Sequence, residues 1–302
     1  MEIGDHSSAI LGATKHLGTA EIAPDNKLEI FSFPINSNSF DYKNACGQLL
    51  ESVAEFTLSR QYREKYKNEP IKLSKEARTR FKDWKEQTGE LGEFLLFCFL
   101  EGHLKAPKIL SKFELKTSTS MHVHGSDGVH YVCIGEGRYQ LLFGESKLYK
   151  DLTSGLRDAF KSIQDFKQER NEQGNSKSGI SFERSLISAN LSQETFSDEE
   201  KIFLKSLLFP TNDGTSLEVD DAFGIFVGFE VGDYGEQRKT LNNHDFREFV
   251  YKSILEQVQA KTTKISEYID DKDLHGHTFY IYVLPFTKID DGKEIMLREL
   301  LS

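Results

Sequence analysis

Seven consecutive apolar residues, Phe94-Leu95-Leu96-Phe97-Cys98-Phe99-Leu100, constrain this chain more than any other segment. They fall in a stretch that reads as a helix from about Glu90 to Glu101, opened by a break at Gly89. A surface helix shows one apolar stripe; a helix that is apolar nearly all round has to be covered on every side. The run is too short to cross a bilayer, which needs about 20 residues. It therefore belongs to a protein core. Glu93 sits in that helix with Leu96, Phe97 and Leu100 at i+3, i+4 and i+7, on an apolar face. A carboxylate buried there needs a cation or hydrogen bonds. Complementing the positive helix N-terminus would account for Glu90 and less well for Glu93.

The rest of the composition can supply that core. The chain has 302 residues, enough for one large domain or two small ones, and is 38% hydrophobic and 12% aromatic. Three widely spaced cysteines (Cys46, Cys98, Cys133), two of them in apolar runs, fit reduced, buried thiols in a cytoplasm better than disulfides. The N-terminus shows neither a basic region nor an apolar one, so no signal peptide is expected. The formal charge of -10 argues against unaided nucleic-acid binding, which leaves a basic footprint. Either a local basic stripe exists or a partner delivers the substrate.

Along the chain, 1–35 read as loop followed by a strand at 28–33, and 44–66 as a helix. Ser74 is a suitable N-cap for a helix carrying Ala77, Phe81 and Trp84. Strands are expected at 108–115, 129–134 and 139–145, then a helix at 151–170 and a strand near 181–188. Beyond these come a helix to about Leu208, a buried strand at 222–231, one long helix at 244–269, a strand at 279–284 and a final short helix. The order from 74 to 188 is helix, three strands, helix, strand, which indicates a mixed α/β sheet with helices on both faces.

The third of those strands ends in Gly144-Glu145-Ser146-Lys147. Alternation puts Glu145 and Lys147 on the face of Leu141 and Phe143, where unpaired charge is costly. A bare Glu-x-Lys is most often a cross-strand salt bridge on a solvated face. Here the pair closes an apolar strand, and Asp127 opens the preceding strand after a tight Ser-Asp-Gly turn. Carboxylates on neighbouring strands can hold Mg²⁺, a hard cation that prefers oxygen ligands, beside a phosphodiester. The lysine can orient or deprotonate the attacking water, and its pKa should fall beside a divalent cation. His122, His124 and His130 surround Asp127; with no CxxC or H-x3-H companion they read as hydrogen-bonded loop residues rather than a zinc site. His275 and His277 read as a turn before a strand. Gln164, Lys150, Arg157 and Lys161 are candidates for weak substrate contacts or a local basic stripe, and equally for a solvated helix face.

Glu93, Asp127 and Glu145-x-Lys147, spaced over 89–166, resemble the PD-(D/E)xK nuclease superfamily, with Ser126 where that pattern has proline. More specifically, GELGEFLLFCFLEG (89–102), HGSDGVHY (124–131) and LLFGESKLY (141–149) resemble the nuclease-subunit family of the Hachiman anti-phage defence system. The resemblance implies a restriction-endonuclease-like α-β-β-β-α-β core with terminal elaborations. It implies residues 1–73 packed on the core, a nuclease core at 74–190, and an α/β extension at 191–302 that completes the sheet and docks a partner. It also implies Asp127, Glu145 and Glu93 as ligands for Mg²⁺ or Mn²⁺, Lys147 as their catalytic companion, and a cytoplasmic deoxyribonuclease without membrane contact. The implied partner is a superfamily 2 DNA helicase, which holds the nuclease and releases it onto DNA on infection or DNA damage. The alternatives are a catalytically silent nuclease-fold module that docks on a helicase, and a self-sufficient repair or restriction endonuclease.

Overall fold

The computed structural model describes residues 3–84, 89–111, 125–170, 179–191, 196–210 and 217–302. In chain order they form α1 (Ala9–Ala13), β1 (Lys15–Ala23), β2 (Asn26–Ser32), β3 (Ile35–Asn36), β4 (Ser39–Phe40), α2 (Tyr42–Thr57), α3 (Arg60–Lys65), α4 (Pro70–Trp84) and α5 (Glu90–Gly102). There follow β5 (Lys108–Ser111), β6 (Gly128–Gly135), β7 (Arg138–Tyr149), α6 (Leu152–Gln168), α7 (Ile180–Asn190), α8 (Asp198–Leu208) and β8 (Glu218–Glu230). The chain closes with α9 (Gly235–Thr240), α10 (Asn243–Gln259), α11 (Thr262–Asp271), β9 (Thr278–Phe286) and α12 (Ile289–Leu301).

Seven strands make one mixed sheet in the order β1-β2-β9-β8-β7-β6-β5. The inner four, β2, β9, β8 and β7, run parallel to one another. Antiparallel partners flank them: β1 on one side, β6 and β5 on the other. Strands in a parallel sheet are covered on both faces and so read as continuous apolar runs. Strand β8 obeys this, buried from Ala222 to Phe229.

Helices cover both faces, as an α/β sheet requires. On one face lies α5, every residue of which is buried. Beneath it, Phe99 stacks on Tyr282 of β9 at 5.0 Å between ring centroids. Above it, Phe94 meets Phe56 of α2 and Phe81 of α4. An outer helical layer thus covers the side of α5 that the sheet leaves open. On the other face α6 lays Phe160 against Phe279 and Phe166 against Phe143. Its start is fixed by Asp151, whose side chain accepts the Ser154 N–H at 2.8 Å.

Several expectations change. The stretch 181–188 is helix α7, not a strand: Glu183 and Ile187 are its buried positions, with Leu191 buried just past its end, a helical spacing masked by the carboxylate among them. The strand that follows α6 in the sheet is β8, parallel to β7 over its whole length. The N-terminal stretch read as loop holds α1 and the edge strand β1. Ser74 lies inside α4, which starts at Pro70, a residue suited to a first helical position. The helix expected at 44–66 breaks between α2 and α3, and that at 244–269 between α10 and α11. Only the first part of the strand at 108–115 falls within the described residues. The cysteines are free; Cys46 and Cys98 are buried, whereas Cys133 is exposed. No helix among the described residues is long and apolar enough to cross a membrane.

Candidate active site

The site forms where β6 and β7 meet the start of α5. Strand β7 carries Phe143, Glu145 and Lys147 towards α6, and Gly144 and Ser146 towards α5. Close approach of α5 needs glycine on both sides. A Cβ on Gly144 would lie 2.9 Å from Leu96 Cδ2, and one on Gly92 would lie 3.2 Å from Ser146 Oγ. This contact delivers Glu93, in the first turn of α5, to the strands.

Asp127 is fastened to β7 by its own backbone and by its carboxylate. Its N–H donates to the Gly144 carbonyl at 2.8 Å. Its Oδ2 accepts both the Ser146 N–H and the Ser146 hydroxyl, each at 2.8 Å. Glu145 and Lys147 form an ion pair, with Nζ 2.6 Å from Oε1. Both side chains are less than a quarter exposed. The pair is thus a salt bridge, as a bare Glu-x-Lys suggests, but within a cavity of about 360 Å³ that Glu93, Asp127, Ser162 and Phe166 also line.

Burial, and then the charge of Asp127, hold the Glu145 carboxyl above its ordinary value, against the opposing pull of Lys147 and Ser162. Burial works against the Lys147 charge, but Glu145 and then Asp127 outweigh it and raise that group too. The depression expected for Lys147 beside a cation is therefore not produced by the protein groups alone. Carboxylates gathered at one cavity, with the charge of Asp127 working against ionisation of Glu145, form an all-oxygen donor set. That set fits a hard divalent cation. Glu90, by contrast, is turned away: it accepts the Gly89 N–H and lies 3.8 Å from Lys293.

The weaker candidates lie outside this cavity. Gln164 donates to the Lys272 carbonyl at 3.4 Å. Arg157 is exposed and paired with Asp158 at 2.9 Å, and Lys161 is paired with Asp165 at 2.7 Å. Lys150 is exposed just past β7. His130 is buried and its Nδ1 lies 2.9 Å from the Ala106 carbonyl oxygen. His122 and His124 lie outside the described residues. His277 Nδ1 is 3.0 Å from the Asp221 carbonyl oxygen, just before β9.

Three supporting residues escaped the sequence reading. Ser146 is the middle residue of the Glu-x-Lys motif, and its neighbours drew the attention. Ser162 sits on α6 one turn from the core stripe. Glu183 of α7 is 1% exposed and accepts the Ser126 N–H at 2.8 Å, tying down the turn that presents Asp127. Its signal, a carboxylate at a core position of a helical pattern, was present but assigned to a strand. A larger cavity, about 910 Å³, lies beside α2, α3 and α4. Its buried carboxylates cap backbone groups instead: Glu101 accepts the Lys108 N–H at 2.9 Å and Glu55 the His6 N–H at 3.3 Å.

No curated protein matches the chain. The HamA family model does, over residues 11–299, which spans the whole sheet and both of its helical layers. The apolar helix, the Asp127 turn and the Glu145-x-Lys147 strand all fall within that match, and the chain belongs to the HamA family of the Hachiman defence system.

Proposed function

We propose that this HamA protein is a divalent-cation-dependent deoxyribonuclease built on a restriction-endonuclease-like core. One observation carries the reading: Glu93, Asp127, Glu145 and Lys147, from one helix and two strand segments, converge on a single cavity. The element order supports it. Helix α5, the antiparallel run β5-β6-β7, helix α6 and the parallel strand β8 follow in the α-β-β-β-α-β sense, with α7 and α8 inserted before β8.

In this reading Asp127, Glu145 and Glu93 hold Mg²⁺ or Mn²⁺. The chemistry such an ion supplies is a lowered pKa for bound water and neutralisation of charge developing on the phosphate. The chain's own groups do the rest. Ser146 fixes the Asp127 carboxylate in one orientation, and Ser162 steadies Glu145. Lys147, paired with Glu145 in the same cavity, would orient the attacking water or hold the phosphate oxygen.

The charge of -10 supports a DNA-holding surface on another protein, and in this reading a superfamily 2 helicase supplies it and controls access of the nuclease to DNA. The test incubates the purified chain with plasmid and linear DNA and Mg²⁺, with and without the helicase and ATP. Cleavage that requires the partner and is lost in Glu145→Ala supports the reading. Absence of cleavage under every condition supports a catalytically silent docking module, and robust cleavage by the chain alone supports a self-sufficient endonuclease.

A further inference from the structure

A second group of donor atoms lies at the far end of α5, about 15 Å along the helix from Glu93 at 1.5 Å per residue. His16 of β1, Glu29 of β2 and His103, directly after α5, each place one ligand atom within 4.8 Å of the others. Glu29 Oε2 is 2.8 Å from His16 Nε2 and accepts the Thr19 hydroxyl at 2.7 Å. The His103 ring is held through Nδ1, 3.2 Å from the hydroxyl of the buried Tyr282. Phe31 lies beneath both imidazoles, at 4.7 Å from His16 and 5.3 Å from His103 between centroids.

An ion pair explains His16 and Glu29 but not His103. That ring comes from a distant part of the chain and sets its imidazole 5.7 Å from another, an arrangement unfavourable to two protonated rings. Imidazole ligands whose carboxylate neighbour and ring orientation are fixed by further hydrogen bonds, over an aromatic floor, are the usual surroundings of a bound transition metal.

We propose that His16, Glu29 and His103 bind a transition-metal ion of the zinc class, which clips the β1–β2 edge of the sheet to the end of α5. Two nitrogens and one oxygen suit Zn²⁺, and the exposed side of His16 leaves a fourth position for water. Tetrahedral ligands at about 2.1 Å stand roughly 3.4 Å apart, within side-chain adjustment of the separations here. The chain would then hold two kinds of ion in separate places, the hard one among carboxylates and the softer one between imidazoles.

The test uses the full-length chain, stripped with EDTA, titrated with Zn²⁺ by calorimetry and with Co²⁺ by visible absorption. The wild type should take up one equivalent that Mg²⁺ does not displace, with a rise in melting temperature and the intense Co²⁺ bands of a four-coordinate site. Asp127→Ala with Glu145→Ala should keep that event. His16→Gln with His103→Gln should weaken it by more than ~100-fold, and so should Glu29→Gln, which preserves size and the Thr19 contact should the histidine pair fail to fold. Equal Zn²⁺ uptake by wild type and these variants overturns the proposal. So does loss of the event in the Asp127/Glu145 variant alone, or a weak, six-coordinate Co²⁺ spectrum in the wild type.

Discussion

Ser146 shows how one residue serves two sides of a strand. Its backbone and hydroxyl both point at Asp127, while the residues on either side, Glu145 and Lys147, face α6. If Lys147 orients the attacking water as proposed, removing it takes away a role worth about 10²–10⁴-fold in rate. We expect Lys147→Ala to lower kcat by that order with the circular-dichroism spectrum intact; near-wild-type turnover would remove Lys147 from the mechanism. Glu183 acts at one remove, through the Ser126 N–H. Glu183→Ala leaves that buried donor unpaired, at about 1–3 kcal/mol. It should raise the Mg²⁺ concentration needed for half-maximal cleavage, whereas Glu183→Gln, which keeps an acceptor oxygen, should restore it. Glu55 offers a pH-dependent case away from the site. Burial, opposed by the His6 N–H and reinforced by Glu101, holds its carboxyl above the ordinary value. The folded state therefore favours its proton. That contribution to stability is complete below the unfolded-state value and is lost as pH rises through the folded one. Glu55→Gln should raise the melting temperature at pH 7.5, with the gain vanishing towards pH 4.

Elements that bury one clear pattern were legible in the sequence, and those that owe their state to neighbours were not. Helix α5 announced itself by an apolar run that needed covering, and both covers are present, β9 below and α2 with α4 above. Strands β6 and β7 and helix α6 fell where periodicity put them. Strand β1 did not: it buries no residue fully and carries no apolar run, so its strand state rests on pairing with β2. Helix α7 was misread because Glu183 occupies a buried position that a pattern of apolar residues leaves blank. The carboxylates of the site were legible because charge on an apolar face has few bland explanations; Ser146 and Ser162 were not, since serine is at home on any surface. The closeness of α5 to β7 is also an element-scale property. Gly144→Val would drive a branched side chain into Leu96 and the Gly128 backbone. Overpacking of this kind costs about 1–3 kcal/mol, and it would push Glu93 away from Asp127. We expect a lower melting temperature together with weaker Mg²⁺-dependent cleavage, where Gly47→Ala on the exposed side of α2, whose added methyl meets nothing within 4 Å, should leave the cleavage unchanged.

At the scale of the whole molecule, the sheet binds the chain's ends to its middle. Strand β7, which carries Glu145 and Lys147, is paired on its far side with β8, in register from Arg138 with Glu218 to Tyr149 with Phe229. Strand β8 pairs in turn with β9, and β9 with β2 from the N-terminal part. The segment 74–190 contains every candidate catalytic residue but none of β8, β9 or β2. Expressed alone, it would leave the β7 edge with its backbone N–H and C=O groups unpaired, and such an edge pairs with other chains. It would also strip α5 of the Tyr282 and Phe56 rings that cover it. At about 25 cal/mol per Å² of apolar surface, uncovering a few such aromatic side chains costs as much as a large part of the 5–15 kcal/mol by which a domain is stable. The isolated segment should therefore aggregate or lack a cooperative thermal transition, while the full chain melts as one unit by calorimetry. A segment 74–190 that stays monomeric and melts cooperatively would show that the candidate site stands on a smaller scaffold than the continuous sheet suggests.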